Sequence, residues 1–353
     1  MDNQMIIRLD KKADFLAMDN MKTHKAIALF SGGLDSILTV KWMQKCGYAV
    51  HPVFFRAPYF KAERALQSAD KNGIELEVVD ISPEHIQLLS SSAYGFGRRL
   101  NPCIDCHGLM FRKAGELLAA RDADYLISGE VLGQRPKSQR RDALDSVRRL
   151  SGLKDLIVRP LSQLLLPETK PVREGWIDRT HLLAINGRGR SVQHRLAQEL
   201  GVMDYPSPAG GCLLTDRNYC LRLQDLIDNQ ELTLENLELL GNGRHFRLAK
   251  DLKLIVGRDE QDNLALENEF QNGIRLQARD YMGPLGLLVG RRPEPAELKL
   301  ALQIFMSFHT KVPARAAVQM QNFIHGLPQE TPWETESGKA SQDVVKTYHI
   351  SYN

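Results

Sequence analysis

Six consecutive residues, Ser31-Gly32-Gly33-Leu34-Asp35-Ser36, combine what an anion site needs: two glycines that admit close backbone approach, two hydroxyl donors and a carboxylate. Ahead of a helix, such a run turns backbone N–H groups and the helix N-terminus toward phosphate oxygens. Asp35 is a carboxylate where an anion is expected, so its simplest use is to hold Mg²⁺ against the phosphates. A tight turn with an N-cap would use the same residue types. The lysine of GxxxxGK[ST] is absent, and so is the Rossmann GxGxxG.

The second chemical group is sulfur. Of the five cysteines, Cys103 and Cys106 stand three apart in NPCIDCH at what reads as a helix start, where the dipole favours thiolate. Cys212 ends the Pro/Gly-rich loop PSPAGGC, of the kind that brings a side chain into a site. There is no second CxxC, so a closed four-cysteine zinc site is not available. Three cysteines suit a [4Fe–4S] cluster with one iron free of protein ligand, or a division between nucleophile and persulfide carrier; both uses stay open. Cys46 reads as core packing, and Cys220 as structural with a reserve role as ligand. An odd count without an export signal makes a disulfide framework unexpected.

These residues need a scaffold, and the sequence describes one. KAIALF (25–30) stops abruptly at Ser31, and ILTVKWMQKCG carries apolar residues at helical intervals, which together give strand, glycine loop and helix. AVHPVFF (49–55), IELEVVDI (74–81) and DYLISGE (124–130) read as further strands. KAERALQSADKNG (61–73), SPEHIQLL with its Ser cap, and CIDCHGLMFRKAGELLAARDA read as helices. Alternation of this kind predicts an α/β fold, a layered parallel sheet whose ligands sit beyond the C-terminal strand ends. After about residue 240 the text changes to short alternating runs separated by glycines, which predicts a smaller α+β C-terminal domain. The expected division is an extension over 1–21, a nucleotide-binding domain over 22–230 and a second domain over 231–353. Within the last, 327–345 reads as a flexible polar segment before a short strand, YHISYN.

With 353 residues, 43% hydrophobic and 25% charged, the chain has a globular composition that argues against disorder and a fibrous fold. A net charge of +3 announces no nucleic-acid binder, so any such site must be a local cluster. Arg135, Lys137, Arg140, Arg141, Arg148 and Arg149 form one, and Arg188, Arg190, His194 and Arg195 a second. Each suits phosphates or a solvated face equally. No run reaches the roughly 18 to 20 apolar residues of a membrane span, so the cytoplasm is the expected compartment and no membrane partner is expected.

SGGLDS resembles the pyrophosphate (PP) loop, SGGxDS, of the adenine-nucleotide hydrolases that split ATP between the α and β phosphates. That resemblance implies a Rossmann-like domain in which AMP is placed on a carbonyl oxygen and then displaced by a nucleophile. Together with NPCIDCH, DYLISGE and the GGC at 210–212, the chain is similar over roughly 22–225 to the tRNA-uridine thiolation branch, the 2-thiouridylases and 4-thiouridine synthetases. By that similarity Ser31, Gly32, Gly33, Asp35, Ser36 and Gly129 bind ATP, while Asp35, Cys103, Cys106 and Cys212 serve catalysis and the three cysteines sulfur transfer or cluster ligation. The implied partners are tRNA and a sulfur donor, either sulfide or a persulfide carrier. A homodimer is left open. Two departures are His107, where the family has Asn, and GQRPKSQ, where it has a lysine-containing segment.

GNGRHFRLAKDLKLIVGRDEQDN (241–263) with GPLGLLVGR (283–291) resembles the RNA-binding domain of NFACT proteins, and makes Arg244, His245, Lys253 and Arg258 its candidate RNA contacts. The expected function is an ATP-dependent tRNA sulfurtransferase that adenylates a uridine carbonyl and replaces its oxygen by sulfur, with ATP, Mg²⁺ and a three-cysteine [4Fe–4S] cluster on Cys103, Cys106 and Cys212 as its expected cofactors. The rival readings are an adenylating or sulfur-insertion enzyme acting on a small molecule, and a non-catalytic RNA-binding protein.

Overall fold

The computed structural model describes residues 24–153, 155–206 and 212–350. Part of the expected loop before Cys212 and the last three residues of YHISYN lie outside them. The first half is built from β1 (Lys25–Leu29), α1 (Leu34–Lys45), β2 (Ala49–Arg56), α2 (Glu63–Lys71), β3 (Glu77–Asp80), α3 (Ser82–Leu88), α4 (Cys103–Glu116), β4 (Tyr125–Ser128), α5 (Arg141–Ser151) and β5 (Ile157–Val158). Its five strands pair in parallel in the order β3-β2-β1-β4-β5. The chain runs outward one way from β1 and the other way from β4, so the gap beyond their C-terminal ends is a topological switch point.

Period-two alternation in β1 explains how the sheet is covered on both faces. Ala26 and Ala28 share a core with Leu34, Ile37 and Leu38 of α1 and with Leu196 of α7 (Ser191–Glu199). Ile27 points the other way, into a core with Leu109, Phe111 and Ala114 of α4 and Val147 of α5. Between β5 and α7 lies the short α6 (Lys170–Arg173).

Two helices, α8 (Arg217–Asp228) and α9 (Leu234–Leu239), lead into the second half. There β6 (Arg244–Ala249), β7 (Leu252–Val256), α10 (Glu260–Glu269), β8 (Gly273–Ala278), β9 (Gly286–Gly290), α11 (Pro295–Met306), β10 (Arg315–Ile324), β11 (Leu327–Pro328), β12 (Trp333–Gly338) and α12 (Gln342–Tyr348) follow. The seven strands form one sheet in the order β11-β10-β8-β9-β7-β6, with β12 beside β10, and every pairing is antiparallel. Leu254 and Val256 face α11, while Ile255 faces Leu239 of α9 and Leu266 of α10.

The C-terminal segment differs from its expectation. Residues 327–345, expected to be flexible, supply β11, β12 and the start of α12, because Trp333, Val344, Val345 and Tyr348 pack onto the core of the second sheet. Of the expected terminal strand, the described residues 348–350 make a single bridge, between His349 and Phe246, and the rest lies outside the described residues. Among the described residues no helix is long and apolar enough to cross a membrane.

Leu237 of α9 and Leu240, which caps it, pack with Ala57, Tyr59, Leu223 and Leu226, and Leu239 packs with the second sheet, so one helix is shared by both cores. A clasp of charges stands beside it. Arg247 on β6 is bidentate to Asp225 of α8, at 3.1 and 2.6 Å, and to Glu231, at 3.0 and 2.6 Å, while Lys253 lies 3.5 Å from Asp225. The Arg247, Asp225 and Glu231 side chains are all less than one-fifth exposed. Arg247→Ala leaves two partly buried carboxylates with Lys253 alone, and is expected to cost at least about 2 kcal/mol, between an exposed and a fully buried pair. Urea unfolding of the full chain measures it.

Candidate nucleotide and thiol site

The glycine loop closes on itself beyond β1. Ser36 Oγ accepts from Ser31 N and from Ser31 Oγ, both at 3.2 Å, and donates to the Gly33 carbonyl at 2.8 Å. Gly32 has φ +74°, and a Cβ there would meet Ala65 Cα of α2 at 2.9 Å, so only glycine fits. Gly33 caps α1 without a side-chain hydrogen bond, leaving the helix N-terminus facing the crevice.

Gly129, just after β4, sits directly against this first turn. A Cβ at Gly129 would lie 2.6 Å from the Asp35 carbonyl carbon and oxygen and 2.7 Å from Ser36 N. The Asp35 side chain is clamped. Gln134 Nε2 donates to its Oδ2 at 2.5 Å, Gln193 Nε2 donates to its Oδ1 at 3.4 Å and to Gln134 Oε1 at 2.9 Å, and Arg190 Nη2 stands 3.5 Å from Oδ2. Gln134 and Gln193 were not among the expected site residues, although Gln134 lies in the GQRPKSQ departure; the signal of Gln193 is its place three and four residues before Leu196 and Ala197, on the buried face of α7. Arg190, expected among the RNA contacts, is instead turned inward to Asp35. With its oxygens facing N–H donors, Asp35 in this arrangement does not fit a Mg²⁺ ligand.

Cys103 and Cys106 occupy the first turn of α4, as their spacing requires. Asp105 between them accepts from Ser92 Oγ, Ala93 N and Tyr94 N at 2.8, 3.0 and 3.1 Å, and Asn101 Nδ2 reaches Cys103 Sγ at 3.0 Å, so the preceding loop is tied to the helix start. Leu213 N donates to the Tyr59 carbonyl at 2.9 Å, which anchors Cys212 beside the segment following β2. The three thiols feel one another: Cys212 and Cys103 both raise the Cys106 thiol, and Cys103 raises Cys212. Burial is the larger cause in each case. It pushes Cys106 well above the usual thiol range and Cys212 up to about 12, against a hydrogen bond from the Leu214 backbone. The expected thiolate-favouring dipole is therefore overridden at Cys106. Among the described residues no three His, Cys, Asp or Glu side chains are grouped so as to hold a metal ion. Cys46 packs beside the first core, and Cys220 is buried with Sγ donating to the Leu214 carbonyl at 3.2 Å, matching their structural reading.

His107 ties the thiol helix to the nucleotide crevice. Its Nδ1 lies 2.9 Å from Glu130 Oε1, and Glu130 Oε2 accepts from Arg159 Nε at 2.8 Å and from Ser128 Oγ at 3.2 Å. Burial alone would raise the Glu130 carboxyl, but Arg159 and His107 bring it down to about 2. The departure at residue 107 thus has a local partner one residue beyond Gly129.

Arg135, Lys137, Arg140, Arg141, Arg149 and Arg188 are exposed, around the rim that follows β4 and the segment before α7. Lys137 Nζ donates to the Phe96 carbonyl at 3.3 Å, Arg141 Nη2 to the Leu165 carbonyl at 2.9 Å, and Arg140 pairs with Asp142. In the second domain two expected RNA contacts are excluded by burial. His245 is 1% exposed with Nε2 2.8 Å from the Asn242 carbonyl, and Lys253 is 4% exposed in the Asp225 clasp. Both point inward because strand alternation turns them toward α8. Arg244 and Arg258 stay partly accessible.

Residues 21–164 match the family model of the thiamine biosynthesis protein (ThiI), and residues 243–342 match that of the NFACT protein RNA binding domain. The first sheet belongs to a ThiI-type PP-loop domain and the second to an NFACT-type RNA-binding domain. Among curated relatives, the tRNA-specific 2-thiouridylase MnmA of Serratia proteamaculans (strain 568) is 32% identical over 149 residues, which are 38% of this chain and 39% of that protein. MnmA of Photorhabdus laumondii subsp. laumondii is 32% identical over 148 residues, 36% of this chain and 40% of that protein. The similarity thus spans about two-fifths of these relatives' length. A crystal structure of a 4-thiouridine synthetase–RNA complex with bound ATP aligns over 50% of each chain at 19% identity, with a TM-score of 0.31.

Two substitutions probe the geometry of the ThiI-type domain. Gly129→Ala drives a methyl group into the α1 backbone and is expected to cost about 1–3 kcal/mol in chemical denaturation. Glu130→Gln strands Arg159, which is 2% exposed, and is expected to cost about 3–5 kcal/mol. Because the folded Glu130 value of about 2 lies below the ~4.3 of an exposed glutamate, its contribution is full above that pH and fades as pH falls toward 2. The variant should therefore lose stability mainly above pH ~4.3 and flatten the acid limb of a stability–pH profile.

Proposed function

We propose that this protein is an ATP-dependent tRNA sulfurtransferase acting on a uridine carbonyl. The observation that carries the reading is the tether His107–Glu130, which couples a helix bearing Cys103 and Cys106 to the strand end that abuts the pyrophosphate-type loop. The ThiI-type match, the MnmA relatives and the NFACT-type domain support tRNA as the substrate class.

In this reading Ser31, Gly32, Gly33 and Ser36 cradle the phosphates, and Gly129 keeps the crevice closed around the α-phosphate. Asp35 positions the loop through its amide clamp. The uridine oxygen attacks the α-phosphorus and pyrophosphate leaves. A persulfide on one of Cys103, Cys106 or Cys212 then attacks the activated carbon through its terminal sulfur, and AMP departs with the oxygen. A second thiol, as thiolate, attacks the carrier sulfur; the product leaves as thiocarbonyl and the two cysteines remain as a disulfide. A thiol reductant opens the disulfide, and an external persulfide donor passes its outer sulfur to the carrier thiolate and leaves as a thiol, which restores the enzyme. Arg135, Lys137, Arg140, Arg141 and Arg188 supply exposed positive charge for tRNA phosphates near the crevice.

The test uses anaerobically purified full chain with tRNA, ATP, Mg²⁺, a thiol reductant and a persulfide donor, with sulfide alone as a parallel arm. Pyrophosphate release should require tRNA and yield a thiolated nucleoside. Asp35→Ala should slow it roughly 100-fold, the scale of losing one positioned polar group at a reacting phosphate. Each of Cys103→Ala, Cys106→Ala and Cys212→Ala is assayed for thiolation, iron and acid-labile sulfide. Thiolation lost in protein free of iron supports the persulfide route, whereas near-stoichiometric iron removed by each substitution replaces it with a cluster. Pyrophosphate release indifferent to tRNA would overturn the tRNA substrate in favour of a small molecule.

A further inference from the structure

The loop 92–101, between α3 and the thiol helix α4, is tied down yet turns two aromatic rings to solvent. Tyr94 and Phe96 are each 38% exposed, and among the described residues neither ring belongs to a hydrophobic core. A single exposed apolar residue is ordinary on a protein surface, whereas two rings two residues apart form a patch. The loop is not free to bury them. Asp105, 6% exposed, accepts from the Ala93 and Tyr94 N–H groups at 3.0 and 3.1 Å, Gly97 N donates to the Asn101 carbonyl at 2.9 Å, and Arg99 N donates to Asn101 Oδ1 at 3.2 Å. A Cβ at residue 97 would lie 2.3 Å from Asn101 Nδ2, the same amide that reaches Cys103 Sγ at 3.0 Å. Phe96 is thus one residue from the glycine that packs on a partner of the thiol.

On its other side the loop meets the basic segment beyond β4. Lys137 Nζ donates to the Phe96 carbonyl at 3.3 Å. Arg149 of α5, with Ser146, hydrogen-bonds the Tyr94 hydroxyl and holds it below the usual tyrosine range. The acids nearby are already taken: Asp142 pairs with Arg140, Asp145 with Arg148, and Asp105 holds the loop's own N–H groups. Among the described residues Arg98, Arg135 and Lys137 are exposed and form no ion pair. Rings and unneutralised cations therefore share one rim, between the thiol helix and the segment whose Gln134 reaches Asp35.

This combination matches single-stranded nucleic acid: a flat π face for a base and cations for the phosphates on either side of it. A base inside a duplex offers its faces only to its neighbours in the stack. An acidic protein surface would answer the cations and leave the rings without a counterpart. We propose that Tyr94 and Phe96 stack unpaired bases of the RNA beside the thiol helix, while Arg98, Arg135 and Lys137 take the flanking phosphates. The substrate selected in this way is a nucleoside in a loop, a bulge or a single-stranded end, so the uridine reaches the crevice already out of its stack. The assignment rests on the reading of this chain as an RNA-acting protein.

Binding of tRNA to the full chain is measured between roughly 50 and 200 mM salt for the wild type, Tyr94→Leu, Phe96→Leu and the double variant, with melting curves as a fold control. Losing one base–aromatic stack should raise Kd roughly 5- to 100-fold and leave the slope of log K against log[salt] unchanged, because no phosphate contact is lost. Arg135→Gln and Lys137→Gln should instead each reduce the magnitude of that slope by roughly 0.7, the value for single strands. Tyr94→Phe and Phe96→Tyr keep a ring and should bind as the wild type does. If Tyr94→Leu does not fold, Phe96→Leu carries the test alone. An oligouridine of about 12 nucleotides should displace tRNA from the wild type at lower concentration than an RNA duplex of the same length, and the ring variants should lose that difference. An unchanged Kd in folded Leu variants, or a duplex that competes as well as oligouridine, would overturn the stacking site and leave the proposed function standing where pyrophosphate release still requires tRNA. A wild type that neither binds tRNA nor responds to it would remove both. Leu variants that bind tRNA normally but lose thiolation from the persulfide donor would reassign the rings to that donor and overturn the RNA assignment.

Discussion

No atom fits between the end of β4 and the first turn of α1. The backbone of Asp35 and Ser36 stands where a Cβ of residue 129 would be, so the two central strands can deliver their C-terminal ends to one point only with glycine there. This contact sits at the switch point of the sheet, where the chain leaves β1 toward β2 and leaves β4 toward β5. From it the rest follows in sequence order: Glu130 comes next and reaches His107 on α4, and Gln134 comes four residues later and reaches Asp35. One close approach thereby sets the position of the glycine loop and of the thiol helix. Arg159 then locks the strand end from beneath with a buried ion pair, which is favourable only because Ser128 and His107 satisfy the remaining carboxylate valences.

The second domain is held to the first by a different kind of interaction. Helix α9 contributes leucines to both cores, and the carboxylates of Asp225 and Glu231 gather Arg247 and Lys253 from the β6–β7 hairpin. Apolar burial supplies most of the attraction, while the bidentate pairs select one register between hairpin and helix. An RNA-binding surface carried on such a mount is fixed relative to the thiols instead of swinging on a linker.

Much of this was legible in the sequence because it depends on local pattern. Strand, glycine loop and helix over 25–45, the parallel sheet and the change to a second α+β fold after about 240 all follow from periodicity and turn residues, while the antiparallel pairing of that second sheet is seen only in the structure. The site was legible only where its residues are contiguous. Asp35 was expected from its motif to meet a cation, whereas the amides that reach its side chain come from Gln134 and Gln193, which are brought together by tertiary folding. Arg190 sat in a basic run and was grouped with it, although its own side chain turns inward. His245 and Lys253 failed as surface cations for a related reason: a polar residue at an inward strand position reads as exposed until the helix that covers it is known. The C-terminal helix was hidden by polar composition, since Val344, Val345 and Tyr348 suffice to dock it.

The thiols make the most instructive contest between two effects. A helix N-terminus contributes about 0.3–1 kcal/mol toward an anion, less than one pKa unit at 1.36 kcal/mol each. Burial at Cys106 acts in the opposite sense and exceeds it, and the neighbouring Cys212 and Cys103 add to burial, because each thiolate would oppose the next. Burial thus biases the Cys106 and Cys212 thiols toward the protonated form, whereas oxidation proceeds through thiolate. Any sulfur chemistry at these residues needs a change that favours the anion: positive charge arriving, water entering or a proton acceptor docking. The groups already fixed in place are the His107 imidazole, held on Glu130, and the Asn101 amide on Cys103, so hydrogen-bonding partners flank the first turn of α4 before any ligand arrives.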